Sequence, residues 1–143
     1  MTNSIEDAVK MFEEGFICSQ AVFAAFSEKY GLDKKIALKI ANGFGGGIAR
    51  NQHICGAVSG AIMMIGLKYG KTESADSASH ERTYKIVNRF IDKFTEKNGA
   101  INCFDLLGCT LPEAREKGLF ASLCSNYVRD AAVILEDLLI EFD

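Results

Sequence analysis

The stretch from Ile54 to Leu67, ICGAVSGAIMMIGL, constrains this chain more than any other. It holds no charge, no proline and one hydroxyl, and it carries glycines at 56, 60 and 66. Its fourteen residues are too few to cross a bilayer, which takes about twenty. A run apolar on every side, and longer than an ordinary strand, reads as a buried central helix over about 54–69. Gly56 and Gly60 lie four apart with Ala57 and Ala61 beside them, so one face of that helix is stripped of side chains. Each glycine costs a helix about 0.8–1 kcal/mol against alanine. Close approach of another chain segment, or of a ligand, is expected to compensate. Packing alone would explain the glycines; the sharper reading puts Cys55 at the helix mouth to do chemistry.

The rest of the chain supports an all-α fold. Proline occurs once, at Pro112, and long segments are rich in Ala, Leu, Ile, Glu and Lys. Ser4 is placed to cap a helix over Ile5–Glu14, with Ile5, Val9 and Phe12 inward and Gly15 as its stop. A second helix carries Ala21, Val22, Ala25 and Phe26 and ends at Gly31, with Cys18 in its first turn. Asp33 caps a third, from Lys34 to about Asn42, whose inner face is ambiguous among Ile36, Leu38 and Ile40. After the central helix, KTESADSAS reads as a surface loop. Ser77 or Ser79 then caps a long helix to about Lys97, with Tyr84, Val87, Phe90, Ile91 and Phe94 as its apolar stripe and Asn98-Gly99 as its end. A single turn around Cys103, closed by Gly108, and a short helix from Pro112 to Lys117 lead to a last helix over about Ala121–Glu141, with Cys124 in its first turn. The expectation is one domain over 1–143, a bundle of five to six principal helices around the central one.

Composition narrows the function. A net charge of −3 argues against nucleic-acid binding. No segment suits membrane insertion, and MTNSIEDAVK lacks the basic-then-apolar order of a signal peptide. The expectation is a soluble cytoplasmic protein. Cysteines stand at 18, 55, 103, 109 and 124, an odd count with no CxxC pair. In a reducing compartment such residues serve as small hydrophobes, redox groups or metal ligands rather than a disulfide framework.

Placement gives the cysteines meaning. Cys18, Cys55, Cys103 and Cys124 each fall in the first turn of an expected helix. There, unpaired amides and the positive end of the helix dipole favour the thiolate, the form that attacks disulfides and binds metal. His53, two residues before Cys55, is a candidate base or ligand, although a histidine at a helix entrance is more often a surface group. GFGGG, from Gly43 to Gly47, must be a loop that lets backbone come near something else; Gly45, Gly46 and Gly47 are candidate ligand contacts. It is no phosphate loop, lacking GxxxxGK[ST] and a preceding strand.

With these residues in place, the chain resembles the redox-active C-GCAxxG-C-C family over essentially its whole length. The CGAxxG motif stands as Cys55-Gly56-Ala57-Val58-Ser59-Gly60. The first family cysteine matches Cys18 in ICSQAV, the third Cys103 in INCFDLLG, and the fourth Cys124. The order here is Cys-Gly-Ala, not the Gly-Cys-Ala of the label, and Cys109 falls outside the four. The resemblance implies redox chemistry through the cysteines. Because many members are encoded near transporter genes, it also implies a functional link to a transporter. It supplies no substrate and no redox partner.

Three readings follow. One is a small thiol redox protein that cycles between dithiol and disulfide, a thiol–disulfide oxidoreductase with Cys55 as leading nucleophile. Another is a four-thiolate site of Cys18, Cys55, Cys103 and Cys124 for zinc or an iron–sulfur cluster. The third is a module that binds a small ligand or partner with GFGGG and the glycine face.

Overall fold

The computed structural model describes residues 3–143; Met1 and Thr2, which open the stretch read for a signal peptide, lie outside this range. Among the described residues the regular structure is helical: α1 (Ser4–Glu13), α2 (Cys18–Ser27), α3 (Lys34–Ala41), α4 (Gly56–Tyr69), α5 (Ser77–Asn98), α6 (Cys103–Leu107), α7 (Leu111–Glu116) and α8 (Ser125–Glu141). Short 3-10 turns cover Glu28–Tyr30 and Asn42–Phe44, and a π-helical turn, Phe120–Cys124, runs straight into α8. None of these helices is long and apolar enough to cross a membrane.

The apolar run becomes α4, with Cys55 as its N-cap residue. Val58, Ala61, Met64 and Ile65 are fully buried, and α4 packs against α2, α5 and α8. Its glycines divide into two kinds. A Cβ on Gly60 would lie 2.8 Å from the Ser19 carbonyl oxygen, and one on Gly56 would collide with the Cys18 sulfur. The stripped face therefore carries the backbone of α2, and side chains there would push the helices apart. Gly66 faces open space, so close approach does not account for it. The buried Ser19 hydroxyl donates to the Ala41 carbonyl at 2.8 Å, which ties α2 to the end of α3.

Several local expectations shift. The cap of α1 is Asn3, whose side chain accepts from the Ile5 amide at 2.9 Å, and Ser4 is the first helical residue. Asp76, not Ser77 or Ser79, caps α5 by accepting from the Ser79 amide at 3.0 Å. Both corrections move the cap to the neighbouring carboxylate or amide, whose oxygen is as good an acceptor for an orphan amide. On α5 the buried positions are Ile86, Phe90 and Phe94, while Tyr84 is 57% exposed. The stripe turns toward Ile86 because α5 meets the core only where α4 and α8 lie beneath it. The α3 ambiguity resolves to Ala37 and Ala41, with Ile36 and Ile40 about half exposed. On α8, Val128, Ala131, Ala132, Leu135, Leu138 and Leu139 are buried.

Candidate functional site

The amino ends of α2 and α4 meet. Neither is capped by a side-chain hydrogen bond of the usual kind, so their first amides are open to sulfur. Cys18 is the first residue of α2. Its sulfur rests over Gly56, next to Cys55 in the chain. Cys55 is the largest cause that brings Cys18 down to about 7 from an ordinary 9.0. Burial opposes the shift; the amides of Ser19, Cys18 and Gly46 add to it. Cys55 is pushed the other way, first by Cys18, then by burial and by the Cys18 charge. The amides of Ala57 and Val58 pull it down, but less. The two thiols titrate as a pair, Cys18 toward the thiolate and Cys55 toward the thiol.

Cys103 arrives by backbone pairing. The Cys55 amide donates to the Ile101 carbonyl at 2.7 Å, and the Cys103 amide donates to the His53 carbonyl at 2.6 Å, closing an isolated antiparallel bridge between Ile54 and Asn102. This short ladder sets Cys103 and α6 beside the mouth of α4. The Cys103 thiol is raised, chiefly by burial and then by the Cys18 charge, while a hydrogen bond with Gln52 pulls it down. Cys124 comes from the π-helical turn before α8, which Tyr127 pins to α6 by donating its hydroxyl to the Leu106 carbonyl at 2.8 Å.

These elements enclose a cavity of about 720 Å³, within the range of about 300–1,000 Å³ usual for small-molecule sites. Cys18, Cys55, Cys103 and Cys124 all line it, with Phe12, Phe16 and Phe120 among its apolar walls. All five cysteines are free thiols. Cys109 does not line the cavity; it is buried beside Leu107 and Ala114 in a small separate cluster.

The helix-start placement holds for Cys18, Cys55 and Cys103 and fails for Cys124, but only at Cys18 is the thiol lowered; Cys55 and Cys103 are raised. Gly118 adopts φ +69° after α7, and the helical chain is already under way through Phe120–Cys124 before α8 begins. Cys124 therefore has no free amides in front of it. Burial pushes its thiol up to about 12, helped by the Cys18 and Cys103 charges. His53 is exposed and absent from the cavity wall, so what it contributes at the site is its backbone carbonyl.

The glycine loop comes up beside Cys18, and the Gly46 amide helps lower that thiol. Gly45, Gly46 and Gly47 all line the cavity. Beyond them the chain makes an uncommon left-handed turn, with φ of +66°, +49° and +69° at Ile48, Ala49 and Arg50. Among the described residues, no group of three or more His, Cys, Asp or Glu side chains is arranged to hold a metal ion. Cys18, Cys55, Cys103 and Cys124, the four residues of the zinc or iron–sulfur alternative, all lie on this one cavity.

Arg50, Arg115 and Tyr127, none of them a candidate from the sequence, also line the cavity. Pro112 at the start of α7 gave a helix at 111–116 but no sign of which face meets the cysteines.

Among the described residues, the fold is all-helical and presents four free thiols to one cavity, two of them where the amino ends of α2 and α4 meet. The family model described as "Putative redox-active protein (C_GCAxxG_C_C)" matches residues 16–138, and the chain belongs to that family. An uncharacterized protein of Archaeoglobus fulgidus is 30% identical over 107 residues, covering 69% of this chain and 70% of its own length. No solved structure matches the chain.

Proposed function

We propose that the protein performs thiol–disulfide exchange through Cys18 and Cys55, with Cys18 as the attacking thiolate and Cys55 as the resolving thiol. One observation carries this reading: the Cys18 sulfur rests over Gly56, beside Cys55 in the chain, where α2 and α4 meet, and both thiols line one cavity. The electrostatics favour Cys18 over Cys55 as nucleophile, because Cys18 is lowered by Cys55 and by nearby amides, while Cys55 is raised first by Cys18 and then by burial. A value near ambient pH suits an attacking thiol, since thiolate fraction and intrinsic nucleophilicity are then both substantial.

The cycle balances. The Cys18 thiolate attacks one sulfur of a disulfide, breaks the S–S bond and expels one thiolate. Cys55 then gives up its proton and attacks the Cys18 sulfur, expelling the second thiolate and closing a Cys18–Cys55 disulfide. The substrate gains two electrons and two protons; an external dithiol restores the protein. Cys103 and Cys124, kept protonated by burial, act as walls of the site in this scheme. A reducing cytoplasm suits such a cycle, because it returns the pair to the dithiol form.

The test is thiol counting and peptide mapping on anaerobically purified protein, before and after a stoichiometric small disulfide. Loss of two thiols with one 18–55 linkage is the expected result, and Cys55→Ser should trap a mixed disulfide on Cys18. Oxidation that leaves Cys18 and Cys55 free would sink the reading.

A further inference from the structure

The cavity's charge points to the substrate. The protein as a whole is acidic, at −3, yet no Asp or Glu lines the cavity while Arg50 and Arg115 both do. Each ion pair formed among the described residues uses other cations, namely Lys68, Arg89, Lys97 and Arg129. Both cavity arginines therefore keep their guanidinium charge unneutralised by a protein carboxylate. The positive ends of α2 and α4 face the same space and add to the field.

Arg50 is also tied to the reactive sulfur. It sits at the end of the left-handed turn, a conformation that ordinary residues rarely adopt. The turn folds back so that a Cβ on Gly46 would lie 2.9 Å from the Arg50 Cα. Gly46 lines the cavity with Cys18, and its amide helps lower that thiol. One glycine thus backs the arginine and stands beside the nucleophile. Such strain persists where the surroundings over-determine it, typically at ligand sites.

We propose that the cavity takes an anionic low-molecular-weight disulfide, with its carboxylates at Arg50 and Arg115 and its sulfur–sulfur bond at Cys18. Exchange at that bond rests on the function proposed above; recognition of the carboxylates rests on the arginines alone. The cavity admits a small flexible disulfide between apolar walls, and no lining carboxylate repels its charge. The net reaction converts one such disulfide and the Cys18–Cys55 dithiol into two small thiols and the Cys18–Cys55 disulfide.

The experiment compares single-turnover thiol release from pre-reduced, full-length protein with three probes that share an S–S core: dithiodipropionate (anionic), hydroxyethyl disulfide (neutral) and cystamine (cationic). The anion should react fastest and the cation slowest, spanning roughly tenfold or more, with the span narrowing as salt is raised. The double variant Arg50→Gln/Arg115→Gln should lose most of that span. Arg89→Gln, which removes the same kind of charge from the Glu141 ion pair outside the cavity, should keep it. Equal rates for the three probes, or cystamine fastest, overturns the anionic preference and leaves the dithiol reading standing. If no probe reacts, the dithiol reading fails. The anion site is then judged by calorimetry with suberate, whose six-carbon spacer matches the chain of dithiodipropionate without sulfur. Suberate binding that weakens in the double variant supports the site; no binding overturns it.

Discussion

The Cys18 sulfur lies against the backbone of Gly56, so close that a single added methyl at 56 would occupy its place. The CGAxxG motif therefore describes a contact as well as a sequence: its glycine makes room for a thiol that arrives from another helix. The same face takes the Ser19 carbonyl at Gly60.

Replacing these glycines separates packing from chemistry. Gly60→Ala should destabilise by about 1–3 kcal/mol, because its Cβ meets backbone that cannot turn aside. Gly56→Ala should cost a similar amount and also displace the Cys18 sulfur, slowing alkylation at Cys18. Gly66→Ala, which meets nothing, should stabilise by about 0.5–1 kcal/mol through helix propensity. Denaturant midpoints, read with iodoacetamide labelling of each variant, check all three.

The pH dependence of Cys18 labelling should show a midpoint near pH 7, set by its value of about 7. Cys55→Ala removes the largest cause of the lowering and should move that midpoint upward; Cys55→Ser, which keeps a donor, should move it less. The linkage has a definite sign. A thiol lowered from 9.0 to about 7 favours the folded state most above pH 9.0, and that favour is lost as pH falls through about 7. Labelling rates followed by mass spectrometry decide the point, and an unchanged midpoint in Cys55→Ala would count against the pair.

Cys124 should behave oppositely. Its thiol, raised from 9.0 to about 12, stabilises the fold relative to an ionised chain below pH 9.0, and this contribution is lost as pH rises from there through about 12. Cys124→Ala should flatten the alkaline fall in stability. In the native protein at neutral pH, Cys124 should label far more slowly than Cys18. Comparing urea midpoints at neutral and alkaline pH tests this.

The left-handed turn stores strain that glycine would relieve. Ala49→Gly should gain up to about 1 kcal/mol, since Ala49 holds φ +49°. Gly47→Ala should cost more than about 1 kcal/mol: φ is +68° there, and a Cβ would lie 2.6 Å from the Gln52 Cα. Thermal midpoints of the two variants should move in opposite directions.

Much of this was written in the chain. The uninterrupted apolar run fixed α4 as a buried helix, the four-residue glycine spacing announced a close neighbour, and Gly31, Gly99 and Gly108 marked helix ends where φ is indeed positive. Local signals of this kind need only a few adjacent residues, because helix periodicity and capping act within one or two turns. They also put Cys18, Cys55 and Cys103 at helix starts. Local signals could not decide whether those sulfurs came together, nor which thiol is lowered and which raised. Those answers depend on Gly46 coming up beside Cys18, on the pairing of 52–55 with 101–104, and on burial around Cys124. Each joins segments separated by tens of residues, and a thiol's ionisation responds to the dielectric and dipoles around it, not to its neighbours in sequence. The chain alone determined its helices and marked its cysteines; only the tertiary packing set one sulfur against amides, half-buried another, and brought two arginines to the same cavity.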